Sequence, residues 1–183
     1  MARLLLVRHG QAAAGWGDDA DPGLSSLGVR QAEAAAERIA ASRAPCELRT
    51  SPLRRAQETA AALARRWGVV AAVDPALGEV PSPSSDLAAR AAWLPGLLAG
   101  RWSEADAAVA AWRAELVAAA RAITADTVAF THFVAINALV AAAQGTDEVT
   151  GFLPATASVT TIEVVGGSLE VVDLGDEAPP EVG

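Results

Sequence analysis

The chain has no lysine. All 14 basic residues are arginine, set against 22 acids, for a net charge of −8 and a sequence pI near 4.7. This excludes a duplex-binding surface as the main role, because affinity for a phosphate backbone needs a basic field. Cysteine is nearly absent too: Cys46 stands alone, so no internal disulfide can form, and no CxxC or Cys/His zinc spacing occurs. Long apolar runs are missing. Leu4 to Val7 is too short for a signal peptide, and the longest candidate, Phe133 to Ala143, stops at Gln144-Gly145 and fits a buried helix. A soluble, cytoplasmic chain with no nucleic-acid and no membrane partner is expected. Disorder is excluded as well, since 52% of the 183 residues are apolar, enough to build the core of one domain.

Short apolar runs alternate with helix-spaced segments. Leu4 to Val7 has the pattern of a strand buried on both faces. A loop rich in Gly, Asp and Ala spans Gln11 to Gly23. Ser25 is placed to cap a helix running to about Ser42, with Ala32, Ala35, Ala36 and Ile39 on one face. Cys46 to Thr50 reads as a second strand, with Cys46 an inert core residue. Ser51-Pro52 reads as the cap and first position of a helix to Trp67, and Val69 to Val73 as a third strand. After a proline-rich loop from Asp74 to Ser85, helices are predicted at Asp86–Ala99 and Ser103–Ile123. A strand over Thr127–Thr131 then leads into a helix over Phe133–Ala143, closed by Gly145. Val159–Val165 and Ser168–Val172 flank Gly166-Gly167, the signal of a tight hairpin. The expected fold is α/β: a three-layer α/β/α sandwich over residues 1–174, with a mostly parallel central sheet and a C-terminal antiparallel hairpin. Residues 175–183 read as a flexible acidic tail.

The chain has two histidines, and each directly follows a predicted strand. Open α/β sheets bind ligands beyond the carboxyl ends of their strands, so His9 and His132 are candidates for one site. Arg8 precedes His9, and Arg55 falls in the first turn of the helix after the second strand. Two guanidiniums beside helix N-termini favour a compact anion, of which phosphate is the common one. The helix beginning at Phe133 can add its free N–H groups. A neutral imidazole is a competent nucleophile toward phosphorus, and the arginines would keep it neutral and stabilise charge on the transferred group. Such a cluster can transfer phosphoryl groups with no cofactor and no metal.

Arg8-His9-Gly10-Gln11 resembles the R-H-G-E/Q signature of the histidine phosphatase superfamily, in its phosphoglycerate mutase-like branch. Leu24-Ser25-Ser26-Leu27-Gly28 with Gln31-Ala32 is similar to the family's L-S/T-x-x-G-x-x-Q-A segment. Ser51-Pro52-Leu53-Arg54-Arg55-Ala56 with Thr59-Ala60 is similar to its S-P-L-x-R-A-x-x-T-A helix, and Thr131-His132 to its second catalytic histidine. The motifs come in the family's order and span roughly residues 3 to 140, by placement as in.

The resemblance implies a phosphomonoester hydrolase in which His9 becomes phosphohistidine. Arg8, Arg55 and His132 would bind the transferred phosphate, and Glu79, in the loop after the third strand, would protonate the leaving group. Gln11 would donate an amide hydrogen bond to the phosphate or hold the loop, and Phe133 would contribute at the helix start. Asp74, Asp86 and Glu104 compete with Glu79. Three positions depart from the family's pattern: Gly15 where relatives carry a phosphate-contacting asparagine, Phe133 where they carry glycine, and Pro81-Ser82-Pro83 where the loop is glycine-rich. A phosphomutase and a non-catalytic phosphoanion-binding module are the alternatives. Chain length favours hydrolysis over the mutase, and the intact histidines and arginines count against the binding module. The partner expected is a small phosphorylated substrate, with the oligomeric state open. Arg54 is an exposed helix residue or a rim contact, Arg90 and Arg101 are candidate outer-pocket cations, Trp93 is expected to pack, and Asn137 either faces the site or contacts neighbouring backbone. Ser51 is expected to be a cap.

Overall fold

Leu4 and Leu6 pack into one hydrophobic core and Leu5 and Val7 into another. That is the alternation of a strand with both faces covered. The computed structural model describes residues 1–179. In it this strand, β1 (Ala2–Arg8), lies inside a six-stranded sheet of order β3-β2-β4-β1-β5-β6. β2 (Glu47–Thr50), β3 (Ala72–Val73) and β4 (Thr127–Thr131) run in parallel with β1, while β5 (Val159–Val165) and β6 (Ser168–Asp173) form an antiparallel hairpin on its other side. Gly166 and Gly167 take φ of 57° and 83° in the hairpin turn, a conformation that side-chain-bearing residues resist.

Helices α1 (Ser26–Ser42) and α2 (Arg54–Trp67) cover one face of the sheet. α4 (Ala107–Arg121) and α5 (Phe133–Gln144) cover the other, which makes the three-layer α/β/α sandwich. α1 buries the expected Ala32, Ala35, Ala36 and Ile39, and Ser25 Oγ accepts from the Gly28 amide as its cap. α5 ends at Gly145 in the left-handed conformation. Between β3 and α4 lies α3 (Leu87–Leu98), which buries none of its residues fully and carries Pro95 inside it.

Several boundaries differ from the sequence expectation. α2 begins at Arg54 rather than at Ser51-Pro52: residues 52–53 form a bend after the strand, and Leu53, with extended backbone, takes the N-cap position. Cys46 lies outside β2 and is half-buried rather than in the core. Only Ala72-Val73 pair as β3, and Val70 is 90% exposed: this is the edge of the sheet, where a neighbour is present on one side alone. The long helix expected over Ser103–Ile123 is split. Trp102–Glu104 form a 3-10 turn, and Asp106 then caps α4 by accepting from the amides of Ala108 and Val109. Of the acidic tail, Asp176 O accepts from Ala155 N and Ala178 N donates to Leu153 O; residues 180–183 lie outside the described residues. Among the described residues no helix is long and apolar enough to cross a membrane.

Candidate active site

Strand register builds the site. β1 and β4 pair Arg8 with Thr131, and β2 and β4 pair Thr50 with Phe130, so three strands end level with one another. One residue further on, the His9 amide donates to Thr131 O at 3.0 Å and the Ser51 amide to Phe130 O at 2.9 Å. His9, His132 and Ser51, far apart in sequence, thereby meet at the carboxyl edge of the sheet, where open α/β sheets place ligands.

The His9 ring is fixed from both sides. Its Nδ1 donates to Gly10 O at 2.7 Å, which leaves Nε2 as the nitrogen with the lone pair, and Arg55 Nε donates to that Nε2 at 3.1 Å. Burial, followed by the Arg55 and Arg8 charges, pushes the His9 pKa down to about 3, so the ring is neutral at ordinary pH. His132 is wholly buried, with its ring centroid 5.1 Å from that of His9. Burial holds its pKa well below the usual range, helped by His9 and the two arginines. Its Nε2 lies 2.7 Å from Ser51 Oγ.

The residues around His9 explain their own identities. A Cβ on Gly10 would come 2.5 Å from Gly28 O, and one on Gly28 would come 2.1 Å from Gln11 O. The loop after β1 and the first turn of α1 therefore touch backbone to backbone, which glycine alone permits at both positions. Thr59 ties the two motifs together: its Oγ1 accepts from the Gly10 amide at 3.1 Å and donates to Arg55 O at 2.7 Å.

Arg8 Nη1 donates to Pro154 O at 2.7 Å, and its guanidinium sits 5.2 Å from the centroid of the Phe133 ring, within cation–π range. Arg55 is buried, and Asp21 approaches it only to 4.0 Å. Among the described residues neither guanidinium has a tight carboxylate partner. Glu79 follows a 3-10 turn (Pro75–Leu77) that Thr131 Oγ1 holds by donating to Leu77 O at 2.7 Å, while Trp112 Nε1 donates to Gly78 O at 3.3 Å. Desolvation pushes the Glu79 carboxyl pKa up, against the pull of the Val80 amide and of Arg55 and Arg8.

Arg8, His9, Gln11, Arg55, Glu79 and Phe133 line one cavity of about 920 Å³, with His132 packed against it through His9. Gln11 Oε1 accepts from Ser25 Oγ at 2.8 Å, so the amide N–H₂ end is the one available to a ligand. The competing acids lie elsewhere. Asp74 caps Ala76 and pairs with Arg49, Asp86 caps Ala89, and Glu104 sits in the 3-10 turn before α4. Arg54 is exposed and paired with Glu58, and Arg101 pairs with Asp147 and Glu148 rather than lining the cavity. Asn137 contacts backbone: it donates to Phe133 O and accepts from the amides of Gly151 and Phe152. Trp93 packs, against Trp16 and the core.

Arg90 does line the cavity, with its guanidinium 4.7 Å from the centroid of Trp16 and its buried Nε without a partner among the described residues. Trp16, Asp19, Leu94, Leu98 and Leu153 complete the outer wall. Sequence reasoning missed these because they come from residues 12–23, α3 and the segment before β5, which carry no motif. Asp19 and Trp16 were legible only as members of a loop directly after His9.

The chain matches the histidine phosphatase superfamily (branch 1) over residues 4–177. It belongs to that superfamily. A glucosyl-3-phosphoglycerate phosphatase of Mycobacterium tuberculosis is 43% identical over 81 residues, a stretch that covers 42% of this chain and 36% of the relative. The chain therefore matches little more than a third of the length of that curated relative. Among solved structures, a mycobacterial glucosyl-3-phosphoglycerate phosphatase complexed with VO3 superposes with a TM-score of 0.70 at 26% identity, over 97% of this chain and all of that one. A Bacillus stearothermophilus protein, 24% identical, shares the fold with a TM-score of 0.74 over 97% of this chain and 98% of its own. Within the superfamily pattern, Gly15 lies in a turn whose carbonyl accepts from the Asp18 and Asp19 amides, and Pro81 lies beside Glu79 in a smaller neighbouring cleft. Phe133, in place of glycine, supplies the ring under Arg8.

Proposed function

We propose that this superfamily member hydrolyses phosphomonoesters through a phosphohistidine at His9. The observation that carries the reading is the state of His9: neutral, with its pKa down to about 3, locked through Nδ1 to Gly10 O, and facing Arg55 with the nitrogen that bears the lone pair. In the first step Nε2 forms a bond to phosphorus while the phosphorus–oxygen bond to the leaving group breaks. Glu79, whose carboxyl is pushed toward the protonated form by desolvation, gives its proton to that oxygen. In the second step Glu79, now a carboxylate, takes a proton from the water that attacks phosphorus, and His9 is released.

Arg8 and Arg55 supply the positive charge that the equatorial oxygens require in both steps. Among the described residues no group of three or more His, Cys, Asp or Glu side chains is arranged to hold a metal ion. Apart from the Glu79 carboxyl, the groups nearest His9 are the Arg8 and Arg55 guanidiniums and the Gln11 amide, which supports metal-independent chemistry.

For the substrate we infer a small phosphorylated metabolite that carries a second anionic group. Relatives are named for glucosyl-3-phosphoglycerate, and Arg90 offers a further guanidinium on the cavity wall with no carboxylate within ion-pair distance among the described residues. Trp16, Leu94 and Leu98 beside it offer apolar surface to the rest of the leaving group.

Rapid mixing with nitrophenyl phosphate in excess EDTA tests the chemistry. A chromophore burst of about one equivalent per site is expected when dephosphorylation is the slower step, and it should vanish in His9→Ala. Absence of both burst and turnover from acid to neutral pH would overturn the hydrolase reading.

A further inference from the structure

Ser51 is fully buried beside the site, and the family reading gives it no role. It is not the cap of α2, which starts three residues later. Its Oγ accepts from the Leu53 amide at 3.1 Å and lies 2.7 Å from His132 Nε2. A serine hydroxyl has one proton and two lone pairs. With one lone pair engaged by Leu53, the acceptor within reach of the Ser51 proton among the described residues is His132 Nε2.

That inventory assigns a tautomer to His132. If Ser51 donates to Nε2, the ring proton sits on Nδ1. The reverse arrangement, with Nε2–H donating to Oγ, strands the Ser51 proton in a dry position, at the cost of an unsatisfied buried donor. It would also turn a lone pair outward from Nδ1. Among the described residues, the buried His132 Nδ1 has no hydrogen-bond partner, so the proton it carries in this tautomer is unclaimed within the protein fold.

We propose that Ser51 is a positioning residue for phosphoryl transfer: by donating to His132 Nε2 it keeps a proton on Nδ1, so that the ring presents an N–H to an oxygen of the phosphate carried by His9. This rests on the phosphohistidine reading above. The two rings then share one tautomer for opposite ends. A backbone acceptor on His9 Nδ1 leaves Nε2 with a lone pair for attack, and a hydroxyl donor on His132 Nε2 leaves Nδ1 with a proton for binding. The register that levels β2 with β4 creates the second contact, since the Ser51 amide is tied to Phe130 O two residues before His132.

The chain's two histidines make the test direct. Nitrogen-15 spectra of the full chain at neutral pH should show both rings protonated at Nδ1, and orthovanadate should shift the His132 Nδ1 signal. In Ser51→Ala the His9 signals should stay in place while His132 moves to an Nε2–H or mixed form. Orthovanadate should then bind about tenfold or more weakly, the scale of a lost hydrogen bond to a charged group. Ser51→Thr, which keeps the hydroxyl, should restore both tautomer and affinity. A merely structural serine would lower stability without changing which nitrogen carries the proton. His132 protonated at Nε2 in the wild type would overturn the proposal, and that spectrum decides even if Ser51→Ala does not fold. An unchanged tautomer with vanadate affinity within twofold in Ser51→Ala would overturn it too. Vanadate binding is read apart from turnover, so a wild type that binds vanadate without hydrolysing phosphoesters would sink the hydrolase reading and leave the Ser51–His132 relation standing.

Discussion

Arg55 Nε donates to His9 Nε2 at 3.1 Å, so the guanidinium holds the very nitrogen that the proposed attack on phosphorus uses. Burial first and the Arg55 charge second favour the neutral imidazole, and in the proposed reaction Arg55 would release Nε2 as a phosphate takes up its donors. A lysine cannot repeat this, since it lacks the planar fork. Arg55→Lys is expected to lower kcat/KM for an aryl phosphate by roughly 100-fold or more, the scale seen when one preorganised oxyanion donor is lost. Steady-state kinetics checks this; a loss below threefold would remove Arg55 from the machinery.

As the proposed proton donor, Glu79 is expected to set the second limb of the pH profile. His9 is neutral above about pH 3, and Glu79 must be protonated to donate, so kcat/KM should rise through about pH 3. It should then fall as pH passes the raised Glu79 pKa, above the ordinary carboxyl range. Glu79→Gln should abolish the alkaline limb and slow alkyl phosphates far more than nitrophenyl phosphate, whose leaving group needs no proton. Equal losses on both substrates would remove Glu79 as the donor.

Two buried neutral histidines make the fold acid-sensitive. The unfolded chain binds protons on these rings near pH 6.5, whereas folded His9 does so only near 3 and folded His132 well below the usual range. As pH falls below 6.5 the unfolded state takes up protons that the native state refuses, and stability drops by about 1.4 kcal/mol per pH unit for each ring. Glu79, whose pKa is raised, has the opposite sign: its contribution is present in acid and is lost as pH rises through the folded value. Urea unfolding at pH 7 and pH 4 should show a net loss in acid. His132→Asn should flatten that dependence.

Gly28 is far from the chemistry in sequence but in contact with it in space. A Cβ there would meet Gln11 O at 2.1 Å, a backbone atom that cannot rotate away. Gly28→Ala should cost about 2 kcal/mol, typical of overpacking, and should displace the 9–11 loop enough to reduce kcat. Chemical denaturation together with kinetics tests both effects. Unchanged stability would show that α1 can shift without disturbing the loop.

Arg90 should separate substrates. Arg90→Ala is expected to raise KM for phosphorylated acids about tenfold, the scale of one charge-assisted hydrogen bond, while leaving nitrophenyl phosphate nearly unchanged. A parallel loss on both substrates would place Arg90 at the transferred phosphate instead.

Much of the site was legible because its residues sit in local motifs. Arg8-His9-Gly10, Ser51 to Thr59 and Thr131-His132 each join a strand end to a helix start, and the spacing follows from the geometry of those joints. The bounds of β4, of β5 and of α5's start were legible too, since apolar runs there are closed by glycine or a polar residue. Where elements depend on a neighbour rather than on their own sequence, expectation and structure part. Val69–Val73 has the composition of a strand, yet only Ala72 and Val73 find β2 to pair with. Ser51-Pro52 has the composition of a helix start, yet the Ser51 amide is taken by Phe130 O and the hydroxyl by His132.

The sequence by itself determined the sandwich, because hydrophobic period and turn chemistry act over a few residues, and its motifs pointed to the candidate acid, arginines and imidazoles. Only the tertiary structure decided what those groups are. The register of β2, β4 and β1 brings Ser51, His132 and His9 together, burial makes both rings neutral, and a buried hydroxyl and a carbonyl choose which nitrogen of each carries the proton. Protonation and tautomer depend on desolvation and on partners distant in the chain, and these exist only once the sheet has closed.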